Sequence, residues 1–476
     1  MGKALFYLAG FLLLALCSLA ATEPSDSLSD ARSMTAIIEI SGHADIIKEA
    51  SRARVESATV NLSLFPKEGD FTDIDDIEWV PKAKIIGDVA QFNFKDPQES
   101  LDYLMKAKIT TSQSVVEIRD AIAFPLVSLP NEIEPYIKAT KIIDSDDPAI
   151  NKVASNLVQG ETDLYSAVYS IAKWTRENVN YNLSSVTAEV SQKASWVLLE
   201  RKGVCDEITT LFIALLRSVG IPAKFVTGYA YTTSPLFPSN WGAHGWAEVY
   251  FPSVGWVPYD ITYGQFGWVD ATHIRLSESK DPDDSPTRYE WVGRDSQLEI
   301  DDLHISVDVL DSSKDALSMV EVDLKASKQD IGPGSFNAIE AKVRNLRDSY
   351  AMTELTLNIP REVRVISKMT RDIMLKPHEE RSVFWIVRLD SALEENYLYT
   401  YPVSVTGSWD TLDETSFSAS VRSAVYSLSQ IGEIVDQAQE EQEKVYSSSL
   451  SLECSPRSIS LYTYEEGKIV CTAANT

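Results

Sequence analysis

The sequence predicts a multidomain α+β protein in which a central domain, introduced by helices, lies between two β-rich modules. Three observations predict this fold class. The chain has 476 residues, which is too long for one hydrophobic core. Short alternating apolar runs fill residues 34–134 and 298–426, whereas residues 148–180 have helical periodicity. Apolar residues make up 44% of the chain, so a wholly disordered protein is excluded.

The N-terminal residues 1–21 have the pattern of a signal peptide or N-terminal anchor. A lysine precedes an apolar run at 4–16, and small residues allow cleavage near Ala20 or Ala21. An uncleaved anchor is the alternative, because the apolar run is almost long enough to span a bilayer. Lipidation at Cys17 is a further, weaker alternative. The pattern predicts an extracellular protein, either secreted or anchored at the cell surface.

The charge of the chain bears on its partners. Lys and Arg number 43 against 70 for Asp and Glu, giving a formal net charge of −27. An acidic surface repels nucleic acid, so we expect no nucleic-acid partner. Membrane association is expected only through the N-terminal segment or through chain beyond Thr476. The oligomeric state is left open.

The N-terminal module, residues 34–134, is predicted to be rich in strands. Alternating runs at 57–64 and 109–118 indicate strands, and a helical stretch is predicted near 98–106. The central domain is assigned to 135–294.

The C-terminal part is predicted to hold an immunoglobulin-like β-sandwich at 298–426. Strand-like runs such as 320–324 and 336–343 recur at close intervals, with turn residues between them. A helical spacer is predicted at 427–449 and the start of a further β module at 450–476. In an exported chain Cys454 and Cys471 are disulfide candidates, which leaves Cys205 without a partner in its own region.

Cys205 is predicted to lie at the N-terminus of a helix that ends at Gly220 and Pro222. At that position the helix dipole and free backbone amides stabilise a thiolate, and they can bind the oxyanion of a tetrahedral intermediate. The alternative for a lone cysteine is a small buried apolar residue. The apolar side of the helix is Ile208, Leu211, Phe212, Leu215, Leu216 and Val219.

A β-hairpin after this helix contains His244 and Asp260. If its turn has three residues or a bulge, Phe251 lies opposite Gly255, and His244 and Asp260 are diagonal neighbours on one face. Asp260 can then orient the imidazole. A two-residue turn would place the two side chains on opposite faces.

Four segments carry a resemblance to a known family: Gly203-Val204-Cys205, residues 215–224 running on to Gly228-Tyr229, His244-Gly245-Trp246-Ala247-Glu248-Val249-Tyr250, and Gly255-Trp256-Val257-Pro258-Tyr259-Asp260-Ile261-Thr262. Together and in this order they resemble the transglutaminase-like domain. The resemblance implies a papain-like fold in which Cys205 is the nucleophile, His244 the general base and acid, and Asp260 the orienting residue.

Departures from the family pattern are small. Gly245 stands where Ala is usual and Ile261 where Pro is common, and we expect neither to affect the chemistry. Asp206 and Glu207 add negative charge beside the thiol and should raise its pKa. The second oxyanion donor cannot be placed by motif, with Trp196, Tyr181 and Trp174 as weak candidates. His273 is a rival base that follows the aspartate, against the family order.

The resemblance implies acyl transfer on peptide or isopeptide amides through a cysteine thioester. Hydrolysis by a protease or amidase is the favoured interpretation, and protein cross-linking by a transglutaminase is the alternative. A non-catalytic cell-surface binding or structural protein is the alternative of another class. A protein or peptide is the expected substrate. No cofactor and no metal site is predicted, because the metal-ligand patterns of paired cysteines or clustered histidines are missing from the sequence.

Overall fold

The computed structural model describes residues 28, 31–183, 191–235, 237, 239–313, 318–390, 392–409, 411–443, 450–456 and 469–475. The predicted signal or anchor segment 1–21, with Cys17, lies outside the described residues. Within the described ranges, no helix has both the length and the apolar character needed to cross a membrane.

The N-terminal module consists of two antiparallel sheets that enclose a common apolar core. The five-stranded sheet contains Ser33–Lys48, Thr72–Val80, Ser100–Ser112, Ser296–Ile300 and His304–Ser313. The four-stranded sheet contains Arg54–Leu62, Ala83–Ile86, Val89–Lys95 and Thr287–Arg294.

Two sequence predictions for this module were wrong. From residue 100 onward, the stretch 98–106 belongs to the strand Ser100–Ser112. This strand pairs with a neighbour on each side, and every second residue along it is buried. Period-two burial in the sheet therefore overrides the local helical pattern. The strand His304–Ser313 pairs with Ser33–Lys48 and not with the C-terminal module, where residues 298–313 had been placed. The strand Thr287–Arg294 likewise pairs with Arg54–Leu62, so the N-terminal module is completed by residues 287–313 and the predicted end of the central domain at 294 is too late.

The central domain packs four helices against a five-stranded antiparallel sheet. The helices are Pro148–Leu157, Leu164–Asn178, Ala194–Glu200 and Cys205–Ser218, preceded by a short 3-10 turn at Glu134–Ile137. The sheet order is Gln265–Phe266, Gly255–Asp260, Trp241–Phe251, Ala223–Tyr231 and Ile274–Ser279. Two small pairs complete it: Ser114–Val115 with Trp268–Val269, and Asn180–Tyr181 with Lys202–Gly203.

The helix Cys205–Ser218 is buried almost all round, because it lies between the other helices and the sheet. Its last buried residue is Arg217, whose guanidinium donates to the backbone carbonyls of Ala223, Lys138 and Lys280 at 2.9 to 3.1 Å. Burial lowers the pKa of Arg217 to about 10. This single side chain therefore ties the end of the helix to three separate segments.

Arg217→Leu is expected to destabilise the protein by about 2–4 kcal/mol, because it leaves one buried and two partly buried carbonyls without their donor. Urea unfolding measures the change. Arg344→Leu is the matched control, since Arg344 is half-exposed and pairs with Glu321 on the surface. A loss no larger than that of the control would contradict this role for Arg217.

The C-terminal module has two sheets packed face to face around buried residues such as Trp385 and Phe417. The four-stranded sheet contains Val320–Ala326, Phe336–Asn345, Val363–Val365 and Glu380–Leu389. The five-stranded sheet contains Asp330–Ile331, Ala351–Asn358, Thr370–Leu375, Tyr399–Gly407 and Thr411–Ala419. The module is a β-sandwich, and its immunoglobulin-like character stays a prediction.

Two elements follow the sandwich. The helix Leu428–Glu443 packs Ile431 and Val435 against the four-stranded sheet. The strands Leu450–Pro456 and Ile469–Asn475 form an antiparallel pair in which Cys454 lies opposite Cys471. That register fits the predicted disulfide, which itself stays a prediction.

Candidate active site

The backbone around Cys205 is shaped by two neighbours. Gly203 has no side chain, and a Cβ there would come within 2.5 Å of Glu207 Cβ. Glu207 can therefore fold back over the helix N-terminus, where its Oε2 accepts the Val204 N–H at 3.0 Å. This contact fixes the first turn of the helix and places Cys205 at its first residue, as predicted.

The hairpin that carries His244 and Asp260 has the register that brings them together. Phe251 lies opposite Gly255 and Ala247 opposite Tyr259. The turn has three residues, and Ser253 at its centre has a φ of +67°. The predicted diagonal arrangement is confirmed.

His244 and Asp260 form a buried hydrogen bond of 2.6 Å between Nε2 and Oδ2. The second carboxylate oxygen, Oδ1, accepts the Tyr263 backbone N–H at 3.0 Å. Burial alone would raise the pKa of Asp260, but the charge of His244 and hydrogen bonds from His244 and His273 outweigh it and hold that pKa well below its ordinary value. The carboxylate is thus ionised, and it leaves Nδ1 of His244 as the nitrogen for proton transfer.

Cys205 is a partly exposed free thiol whose S–H donates to Asp206 Oδ1 at 3.5 Å. Among the described residues, Cys205 and His244 share no hydrogen bond. Burial raises the pKa of the thiol well above its ordinary value, the charge of Asp206 raises it further, and a hydrogen bond from the Gly245 backbone lowers it. Burial and the carboxylate therefore outweigh the helix N-terminus, and the resting nucleophile is protonated.

Gly245 is more important than the sequence suggested. A Cβ at this position would lie within 2.6 Å of Asp206 Oδ1 and within 2.5 Å of the Phe225 ring. Thr209 Oγ1 donates to the Gly245 carbonyl at 3.0 Å and ties this strand to the Cys205 helix. Glycine here thus leaves room for the carboxyl that accepts the hydrogen bond of the thiol, and the expectation that Gly245 does not affect the chemistry stays a prediction.

The three oxyanion candidates lie in different surroundings. Tyr181 is held beside Gly203 by parallel pairing, and burial followed by the charges of Cys205 and Asp206 raises its pKa. Trp196 and Trp174, like Tyr181, pack against the core of the central domain. Of the three, Tyr181 is the one with an electrostatic interaction with the thiol.

His273 is the residue whose position the sequence analysis misjudged. Its Nε2 lies 2.9 Å from Asp260 Oδ2, and its Nδ1 lies 3.2 Å from Asp270 Oδ1. It therefore contacts the same carboxylate oxygen as His244, and both of its ring nitrogens face carboxylates, so it is not placed as a rival base. One possible signal was the close spacing of Asp270 and His273 just after the aspartate.

The same three side chains raise the question of a metal site. One ligand atom each from His244, Asp260 and His273 lies within 4.8 Å of the others. The neighbouring atoms stand at hydrogen-bond distances of 2.6 and 2.9 Å, however. We therefore describe the three residues as a hydrogen-bonded chain.

Residues 151–261 match the family model of the Transglutaminase-like superfamily. The chain contains a transglutaminase-like domain. The matched segment includes Cys205, His244 and Asp260 and ends before Asp270 and His273. The residues that carry the resemblance in the sequence therefore lie inside this transglutaminase-like domain.

Similar proteins match less than half of this chain. The uncharacterized protein YebA of Bacillus subtilis is 26% identical over 201 residues, which is 40% of this chain and 25% of YebA. The uncharacterized protein Rv2569c of Mycobacterium tuberculosis is 31% identical over 169 residues, 34% of this chain and 50% of that protein. This chain thus spans a quarter to a half of the length of these relatives.

One solved structure covers more than the transglutaminase-like domain. It is the crystal structure of a candidate cysteine protease from Cytophaga hutchinsonii, with 20% identity and a TM-score of 0.44. It covers 60% of this chain and 93% of its own. The family assignment rests on the matched segment 151–261 and not on this similarity.

Proposed function

We propose that the protein is an exported thiol enzyme that transfers acyl groups from peptide or isopeptide amides through a Cys205 thioester, usually to water. The observation that carries the proposal is the buried His244–Asp260 pair of 2.6 Å in the same transglutaminase-like domain as a cysteine at a helix N-terminus. The signal-like residues 1–21 support export.

The first half of the reaction forms the thioester. On substrate binding the Cys205 S–H turns from Asp206 to His244, which takes the proton as Sγ attacks the amide carbon. The amides at the helix N-terminus, with Tyr181 as a further donor, bind the oxyanion. The C–N bond then breaks, and the His244 imidazolium gives its proton to the leaving amine.

The second half releases the acyl group. Water loses a proton to His244 and attacks the thioester carbon, and the C–S bond breaks. Cys205 recovers the proton and the carboxylic acid leaves. Asp260 remains ionised throughout, because its role is to hold His244 in one tautomer and to stabilise the imidazolium.

A protein digest containing glutamine and lysine, incubated with the enzyme and a fluorescent primary amine, tests this proposal. We expect new amino groups to appear with little amine incorporation, and both signals to vanish in Cys205→Ala. His378→Gln is the matched control, since His378 lies on the surface of the sandwich beside Asp348.

Two other outcomes would overturn parts of the proposal. Incorporation of the amine without new amino groups would replace hydrolysis by transamidation. Neither signal with the wild-type protein, across a broad digest and between pH 5 and 9, would refute the catalytic proposal and favour a surface binding protein.

A further inference from the structure

His273 lies in a completely buried position between two carboxylates. Its side chain has no exposed surface, and Asp260 and Asp270 are 0% and 1% exposed. Nε2 faces Asp260 at 2.9 Å and Nδ1 faces Asp270 at 3.2 Å. Each ring nitrogen therefore has an acidic partner of its own.

This geometry fixes the protonation state of the ring. A carboxylate accepts hydrogen bonds and cannot donate one, so both ring nitrogens must carry a hydrogen. Burial alone would lower the pKa of His273, but the charge of Asp270 and the hydrogen bond to Asp260 outweigh it and raise the pKa to about 10. The pKa of Asp270 is held below its ordinary value, against the effect of burial, by the charge of His273.

The outer carboxylate is itself held on several sides. Gln265 Nε2 donates to Asp270 Oδ2 at 2.6 Å, and the Thr272 backbone N–H donates to Asp270 Oδ1 at 2.8 Å. The Asp270 N–H in turn donates to the Gln265 side-chain oxygen at 3.0 Å. These hydrogen bonds hold Asp270 in place, unlike an ion pair at the surface. Asp270 and Gln265 therefore form a second layer behind Asp260.

The second layer changes what Asp260 offers to His244. Asp260 Oδ2 accepts hydrogen bonds from both imidazoles, and the ring centroids of His244 and His273 are 5.6 Å apart. His244 therefore shares this carboxylate oxygen with a second imidazole that carries a fixed positive charge.

We propose that His273, as an imidazolium held by Asp270, is a positioning residue that fixes the Asp260 carboxylate to which His244 is hydrogen-bonded. The proposal rests on the catalytic role proposed above for His244, but it concerns residues beyond the family-matched segment 151–261. Hydrogen bonds thus link four residues in series, from His244 through Asp260 and His273 to Asp270.

Other titratable groups lie near this chain and must be considered in any titration. The ring of Tyr263 lies close to both imidazoles. Its centroid is 4.8 Å from that of His244 and 5.2 Å from that of His273. The remaining groups that interact electrostatically with members of the chain are Cys205, Asp206, Tyr181 and Arg176. The tyrosines stay neutral below pH 9, because burial raises the pKa of both.

Nitrogen NMR of protein labelled with ¹⁵N-histidine tests the proposal directly. The chain has 5 histidines, so each signal can be assigned by a single His→Gln substitution. Titration from pH 5 to 9 in the presence of EDTA gives the protonation of every ring. We expect His273 to carry two N–H groups over the whole range in the wild-type protein.

Two variants then test the positioning role. His273→Gln keeps a donor toward Asp260 but loses the charge, and should change the ¹⁵N signal of the His244 nitrogen that is hydrogen-bonded to Asp260. Asp270→Asn should lower the titration midpoint of His273 by at least about one pH unit. His378→Gln, which removes an exposed histidine paired with Asp348, should change neither.

A neutral His273 at pH 7, or an unchanged His244 ¹⁵N signal in folded His273→Gln, would overturn the proposal. If His273→Gln does not fold, the wild-type protonation state and the Asp270→Asn shift still decide it. The titration needs no substrate. Correct titrations without turnover would therefore refute the proposed function and leave this inference standing.

Discussion

Asp260→Asn is expected to lower acyl transfer by about 10³- to 10⁴-fold while the protein remains folded. The Asn side chain can present an N–H to His244, which then adopts the wrong tautomer and loses the charge that stabilises its imidazolium. His273 would also lose one of its two carboxylate partners. The rate of product formation in the digest assay measures the effect, and thermal unfolding shows whether the fold is kept.

The matched control for this substitution is Asp348→Asn. Asp348 also accepts a hydrogen bond from a histidine, His378, at 2.7 Å, but on the exposed surface of the sandwich. Activity should be unchanged in the control. An Asp260→Asn variant that is folded and retains more than a tenth of the wild-type rate would contradict the role given to Asp260.

Asp206→Asn is expected to have the opposite effect on the thiol. The charge of Asp206 helps to raise the pKa of Cys205, so its removal should lower that pKa. The thiolate fraction at neutral pH should rise roughly tenfold. The rate of Cys205 alkylation by iodoacetamide at pH 7 measures the change, with Glu200→Gln as a control of equal charge on a neighbouring helix.

The same substitution should change the stability of the protein. Burial, followed by the charge of Glu207, raises the pKa of Asp206 above its ordinary value. A carboxyl with a raised pKa in the folded state favours folding most at low pH, and stability falls as pH rises through that pKa. The Asn variant should therefore be more stable than the wild type at neutral pH and lose this advantage in acid. Equal free energies of unfolding for the wild type and the Asn variant at pH 7 would show that ionised Asp206 does not destabilise the fold.

The features predicted well from the sequence depend on local patterns. Cys205 at a helix N-terminus follows from the glycine before it and the apolar periodicity after it. The hairpin register follows from the loop length, since one residue fewer would place His244 and Asp260 on opposite faces. These patterns involve short stretches of chain, so a single sequence can specify them.

The features missed depend on residues that are distant in sequence. The strand Ser100–Ser112 is extended because it lies between two partners in the sheet, which its own pattern does not reveal. The space beside Gly245 is limited by Asp206 and Phe225, which lie on other elements. His273 becomes part of the site because it directly precedes the edge strand Ile274–Ser279, which places it next to Asp260. In each case the deciding contact is tertiary.

The most direct test of the account is the rate of Cys205 alkylation by a peptidyl chloromethyl ketone, which occupies the substrate site, in the wild-type protein and in His244→Ala. If His244 takes the proton of Cys205 once a substrate is bound, the wild type should react at least about tenfold faster than the variant at pH 6. Equal rates in two folded proteins would contradict the account, because the bound thiol would then be independent of the histidine that is proposed to activate it.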